Sequence, residues 1–282
     1  CSAADVFDCA GDGVMIRPAG PNDTAAMTAL YIRCFSDSSA FTDAVFQHVL
    51  PMGDALIDED EHGTLTAMAL VPQLPVSTGE TAGYVYALCT RPESRGQGCM
   101  KRLLNAVHQF CDARGDAFTL LIPATPLLAG TYTHFQYAPV GYLHESTVLA
   151  HAFPTVCPTL RRAAPADYAC INRLCRTSAG QRPSICRSAD MYAALDALYG
   201  NSGGGFYLCR CGGYVFLDAE NELTVREAVV PNGGDLSLLL RAAASHFGRS
   251  SIRCRLPADT GIPFVYARGR CPSPTRFNLL FD

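Results

Sequence analysis

Arg91-Pro92-Glu93-Ser94-Arg95-Gly96-Gln97-Gly98-Cys99-Met100-Lys101 separates a run of small and apolar residues, Tyr84 to Thr90, from a segment with apolar residues at helical spacing, Gly98 to Ala113. Leu103, Leu104, Val107, Phe110 and Cys111 make one stripe along that segment, Gly115 has the position of a helix-ending glycine, and Phe118 to Ile122 reads as the next buried strand. Strand, Gly-rich turn, helix and strand in this order form a crossover long enough to join parallel neighbours, which predicts an α/β fold with a mixed sheet. Gly96 and Gly98 let the backbone turn tightly, and the amides of Gly96 to Met100 open the helix where they can receive an anion such as a pyrophosphate. The spacing matches neither Gly-x-Gly-x-x-Gly nor Gly-x-x-x-x-Gly-Lys, which argues against dinucleotide and ATP binding.

Upstream of this stretch, Val14 to Arg17 reads as a strand and Asp23 or Thr24 as the cap of a helix carrying Met27, Leu30, Tyr31 and Cys34. A second short helix carries Phe41, Val45, Phe46 and Val49; Ala55 to Asp58 and Thr64 to Val71 read as strands joined by an acidic turn. Downstream, Leu127 to Phe135 reads as a short helix and Glu145 to His151 as a strand. Pro154 to Pro158 has the composition of a linker, and the order then begins again. Leu160-Arg161-Arg162-Ala163-Ala164-Pro165-Ala166-Asp167 echoes Met15-Ile16-Arg17-Pro18-Ala19-Gly20-Pro21-Asn22-Asp23. Three strands (Gly205 to Arg210, Gly213 to Leu217, Leu223 to Val230), a helix capped by Asp235 and a strand Ile252 to Leu256 complete the second pass. The expected organisation is two tandem domains, 1–153 and 154–282.

Composition narrows the function. Hydrophobic residues are 49% and charged residues 17% of 282, against about 25% charged in an average domain, so the chain is expected to fold rather than stay disordered. The net charge of −4, with Lys101 the only lysine, leaves no basic footprint, so neither nucleic acid nor a membrane surface is an expected partner. Fourteen cysteines lie mostly within apolar patterns, and there is no Cys-x-x-Cys, so neither a disulfide scaffold nor a bound metal is expected. Cys1 to Gly13 lacks the basic and apolar regions of a secretory signal, and the expected location is the reducing cytoplasm.

The loop resembles the acetyl-CoA loop of the GNAT superfamily of N-acetyltransferases, Arg/Gln-x-x-Gly-x-Gly/Ala: Arg95-Gly96-Gln97-Gly98-Cys99-Met100 matches at the Arg and the central Gly, and Met100 departs at the last position. Tyr86-Ala87-Leu88-Cys89-Thr90-Arg91-Pro92 is similar to the strand before that loop in the tandem-domain, Eis-like branch. Tyr132-Thr133-His134-Phe135-Gln136-Tyr137-Ala138-Pro139 is similar to that branch's Tyr-Gly-x-Phe-Gly-Tyr-Gly-Pro, with Gln136 in place of a glycine. The resemblance covers nearly 140 residues. It implies acetyl-CoA as donor substrate, held by Leu88, Cys89, Thr90, Arg95, Gly96, Gln97, Gly98, Cys99, Met100 and Lys101. It also implies transfer to an amine of a small molecule or peptide, with Tyr132 as general acid.

The chemistry fits those residue types. Attack on a thioester builds an oxyanion that an amide of Leu88 to Thr90 can stabilise, and a phenol can donate to the departing thiolate. Cys89 and Cys99 have no activating base in sequence and read as inert small residues. Asp54, Asp58, Glu59, Glu145, His134 and His144 are the candidates for an acceptor-side base, with no single one selected. In Eis-like enzymes the terminal carboxylate of an additional domain enters the site, a role not carried over to Asp282, which closes the second repeat. The second copy has Pro231-Asn232-Gly233-Gly234-Asp235-Leu236 at its turn, where Asp235 sets a negative charge in the phosphate position, so it is expected to be degenerate. Glu227 is expected in an ion pair with Arg226 or another arginine. The rival readings are a noncatalytic acyl-CoA-binding module and transfer of a larger acyl group.

Overall fold

The computed structural model describes residues 15–149, 158–210, 212–220, 222–272 and 275–280. The expected strand start at Val14, the strand end at His151, the linker residues 154–157, the turn residue Asn221 and the terminal Asp282 lie outside the described residues. Contacts divide the chain into two compact units, one of Cys1–Ala138 with Ala267–Cys271 and one of Pro139–Tyr266 with Pro272–Asp282.

The first unit begins with β1 (Met15–Pro18), α1 (Thr24–Cys34) and α2 (Ser39–Ala44), the last continuing into a π-helical turn at Val45–Val49. β2 (Gly53–Glu59) pairs antiparallel with β1, through Arg17↔Ile57, and with β3 (Leu65–Pro75), through Ala55↔Leu70. Leu65 to Val71 is buried throughout, which is why its sequence lacks strand alternation. β3 then pairs with two successive segments, β4 (Thr81–Tyr84) and β5 (Tyr86–Thr90). α3 (Cys99–Arg114) crosses to β6 (Phe118–Leu121), which runs parallel to β4 in the register Gly83↔Thr119.

α3 buries Leu103, Leu104, Val107, Phe110 and Cys111 as its stripe requires; at about 1.5–3 kcal/mol for each large apolar side chain, this face holds the helix on β2, β3 and β6. Its end follows the glycine signal: Gly115 takes φ 88°, its amide bonds Asp112 O at 3.2 Å, and Asp116 N bonds Cys111 O at 3.0 Å. α4 (Pro126–Thr133) closes this pass, with Thr125 Oγ1 accepting from Leu128 N at 3.2 Å.

The second unit holds β7 (Ala138–Leu149), which pairs antiparallel along its length with β12 (Ser251–Ala258), from Ala258↔Tyr142 to Ser251↔Leu149. The contacts therefore group β7 with this unit, although its sequence position reads as the close of the first repeat. β8 (Leu160–Arg162), α5 (Tyr168–Ala179), α6 (Ala189–Gly200), β9 (Gly205–Cys209), β10 (Tyr214–Asp218), β11 (Thr224–Val229) and α7 (Leu236–His246) lie between. β11 runs parallel to β12 and antiparallel to β10, so this unit too mixes both pairings beneath helices. Its core gathers Val215, Leu217, Val225, Leu239, Ala243, Ile252 and Cys254.

Two elements were not read from the sequence. α6 is announced by Ser188, whose side chain accepts from Met191 N, and β13 (Ile262–Gly269) is obscured by Pro263 and flanking glycines. The expected single strand Tyr84 to Thr90 is instead two strands broken at Val85.

Candidate active site

The break at Val85 shapes the site. β4 pairs with β6, and Val85 N still donates to Leu120 O at 2.8 Å, but among the described residues β5 pairs only with β3. Ala87 takes φ 51°, a left-handed conformation costly to any residue with a Cβ, and the β3–β5 register shifts between Met68 and Leu70. Leu88 sits in that bulge, between the pairs Leu70↔Tyr86 and Met68↔Cys89. The carboxyl ends of two parallel neighbours, β4 and β6, thus lead to β5 with its loop and to α4, the arrangement in which open α/β sheets receive ligands.

Past Thr90 the chain makes a short 3-10 turn, Pro92–Ser94, and enters the loop. Gly96 and Gly98 take φ 80° and 79°. A Cβ at Gly96 would meet nothing within 4 Å and one at Gly98 only Arg102 Nη1 at 3.7 Å, so backbone conformation and not crowding by the protein demands glycine. No described residue accepts a hydrogen bond from the amides of Gly96, Gln97, Gly98, Cys99, Met100 or Lys101. Gly96, Gln97, Gly98 and Lys101 are exposed, Met100 is half-buried and Cys99 is buried. An exposed helix start with this many open donors is a seat for an anion.

Arg102 organises the loop, a role the sequence did not single out. Its Nη1 donates to Gln97 O at 2.8 Å and its Nη2 to Asp58 Oδ2 at 3.0 Å, tying the loop to β2. Asp58 is fully buried, and burial raises its carboxyl above the ordinary range against the opposing pull of Arg102. Gln97 Nε2 donates to Glu93 O at 3.2 Å, and Glu93 pairs with Arg33.

Tyr132 is positioned by the end of α4. Gln136 takes φ 67°, its amide bonds Thr133 O at 3.0 Å, and Tyr137 N bonds Tyr132 O at 3.2 Å. These are the two hydrogen bonds of a Schellman ending, with Gln136 where glycine is usual, and the accompanying contact is made by the Tyr132 and Tyr137 rings, edge-on at 5.9 Å. Tyr137 is anchored in turn, its hydroxyl 3.1 Å from His108 Nε2 and 3.0 Å from Thr119 Oγ1. Tyr132 is buried, yet its hydroxyl makes no hydrogen bond to a described residue, and burial alone pushes the phenol up to about 12.

The base candidates are dispersed. Asp54 pairs with Arg114, Asp58 with Arg102, Glu59 with Arg17, and Glu145 with Arg253 and Arg255, while His134 and His144 are exposed. In the second unit, Asp235 Oδ1 accepts from Leu238 N at 3.1 Å, so a carboxylate occupies the start of α7. Glu227 is buried with Arg187, at 2.7 Å through both oxygens, and also accepts from Tyr214 Oη at 2.7 Å and Asn278 Nδ2 at 2.8 Å. The expected ion pair therefore forms with Arg187 rather than Arg226. Burial pushes the Glu227 carboxyl up, but Arg187 prevails and holds it below the ordinary range. Among the described residues no helix is long and apolar enough to cross a membrane.

This sheet, broken strand and open loop define an acyltransferase-type α/β fold. Residues 15–140 match the family model described as an acetyltransferase (GNAT) domain, so this segment of the chain carries a GNAT-type domain. Solved structures with the same fold include a probable N-acyltransferase from Enterococcus faecalis, 15% identical, covering 90% of this chain and 72% of that one at TM-score 0.72. A putative acetyltransferase from Pyrococcus horikoshii is 12% identical over 97% of this chain and 95% of that one, TM-score 0.64. Eis1 from Mycobacterium abscessus is 15% identical over 90% and 73%, TM-score 0.63. No curated protein matches the sequence.

Proposed function

We propose that the first unit is an N-acetyltransferase that moves an acetyl group from acetyl-CoA to an amine of a small molecule or peptide. The observation that carries this reading is the row of unengaged amides from Gly96 to Lys101, directly after a strand that has left its parallel neighbour. The amides and Arg95 receive the pyrophosphate, and the Leu88 to Thr90 backbone lies along the thioester. The amine nitrogen attacks the carbonyl carbon, an amide of β5 stabilises the oxyanion, and collapse expels the CoA thiolate. Tyr132 donates to the departing sulfur. Raised by burial to about 12, its phenol keeps its proton across neutral pH and always presents a donor. Holding both substrates together removes the cost of their encounter, and no covalent enzyme intermediate is needed.

The second unit, within 154–282, is read as a degenerate copy. Asp235 sets its own carboxylate where a phosphate would sit, and Arg187, Glu227, Tyr214 and Asn278 fill the interior at β11, leaving a cavity of only about 30 Å³. Calorimetric titration with acetyl-CoA and CoA tests the reading, with one site per chain expected. No binding would overturn it. With an amine acceptor in hand, Tyr132→Phe should lower kcat about 10-fold or more with CoA affinity retained, and an unchanged kcat would remove Tyr132 from the mechanism.

A further inference from the structure

The cavity of about 30 Å³ lies within the second unit, where α5, β11 and the segment 275–280 meet, and Cys175, Ser178, Arg187, Glu227, Arg276 and Asn278 are among the residues around it. Arg187 is 4% exposed and meets Glu227 end-on, Nη1 to Oε1 and Nη2 to Oε2, each at 2.7 Å. Nη2 also donates to Asn278 O at 3.0 Å, while Nε is buried and has no hydrogen-bond partner among the described residues. Glu227 is saturated: Oε1 also accepts from Tyr214 Oη at 2.7 Å and Oε2 from Asn278 Nδ2 at 2.8 Å, so each oxygen takes two hydrogen bonds. Arg276 is half-buried and its amide is fixed to Pro183 O at 2.9 Å, but its guanidinium makes no hydrogen bond or ion pair with a described residue. Two guanidinium groups therefore border this cavity against one carboxylate among the described residues, and the charged groups with hydrogen-bonding capacity to spare are both donors. A buried donor without an acceptor and a cation without a counter-charge are each costly, and an anion between them answers both.

We propose that this cavity binds one small monovalent anion of chloride size, held by Arg187 Nε and the Arg276 guanidinium, and that the ion fastens the segment 275–280 to the second unit. Its volume is about the share of one water in the liquid, room for a halide but not for phosphate or sulfate. One negative charge balances the excess of one guanidinium over the carboxylate. Arg187 keeps Glu227 and offers the ion only its remaining N–H, whereas Arg276 has its whole fork free to turn inward. The ion adds a side-chain tie to a segment otherwise held through Thr275 Oγ1 to Val140 O at 2.7 Å, the Arg276 amide and Asn278. The site stands on the second unit alone and is independent of the acyl-CoA reading.

The test is thermal unfolding of the full chain in sodium chloride and in sodium gluconate at the same ionic strength, gluconate being too large to enter. Chloride at about ten times its Kd favours the folded state about 11-fold, which should raise Tm by about 3 °C or more over gluconate. Arg276→Gln removes a guanidinium that no described residue engages, so it should fold and lose more than half of that increment. Arg276→Lys keeps the charge and should retain more of it than the glutamine variant. Arg210→Gln, at an exposed arginine away from the cavity, separates site binding from a general effect of positive charge and should keep the increment. The proposal is overturned if chloride and gluconate give the same wild-type Tm, if half or more of the increment survives in Arg276→Gln, or if Arg210→Gln loses as much.

Discussion

Protonating His108 is the perturbation that reaches the seat of Tyr132 most directly. The ring is buried, its Nε2 lies 3.1 Å from Tyr137 Oη, and Tyr137 is the aromatic on which Tyr132 packs. Burial, with a smaller contribution from the Arg268 charge, lowers the imidazole from its ordinary 6.5 to about 3. The folded value lies below the unfolded one, so the unfolded chain takes up the proton first. Stability is full above the unfolded value and falls as pH drops through the window toward 3. At about 1.4 kcal/mol per pH unit within that window, the contribution lost between pH 6 and pH 4 is about 2.5 kcal/mol. Urea unfolding at both pH values, for the wild type and for His108→Gln, isolates it, because glutamine keeps a hydrogen-bonding side chain that does not titrate and the carboxylates are common to both proteins. The stability difference between the two should change by about 2.5 kcal/mol; a difference constant to within about 0.5 kcal/mol would refute the reasoning.

Gln136→Gly should raise stability by about 1 kcal/mol, since φ 67° strains a side-chain-bearing residue, and a lower Tm would contradict the Schellman account. Arg102→Ala should cost about 3 kcal/mol by leaving Asp58 buried without its cation, and adding Asp58→Asn should recover stability in urea but not CoA affinity, because the bond to Gln97 stays lost. Gly98→Val, strained at φ 79° and bulky at the loop, should weaken CoA about tenfold or more by calorimetry; unchanged affinity would argue against the loop.

What was legible in the sequence was whatever nearby residues decide. The stripe of α3, its Gly115 ending and the two loop glycines follow from local spacing and backbone chemistry, and each stands where it was read. The break in the strand was not legible, because Ala87 looks like any strand alanine and takes φ 51° only through the pairing of its neighbours. Asp58 and Arg102 stand 44 residues apart, and their bond exists only once α3 lies on β2. Gln136 was read as a departure from a glycine position; the backbone nonetheless adopts the conformation a glycine would have taken.

Lys101 stands exposed in the first turn of α3 and is the only lysine in the sequence. For chemical labelling this makes the mouth of the proposed anion seat the single place where a reagent selective for lysine side chains can act. The rate of its modification, followed by intact mass, converts occupancy of the loop into a one-site count with no engineered reporter.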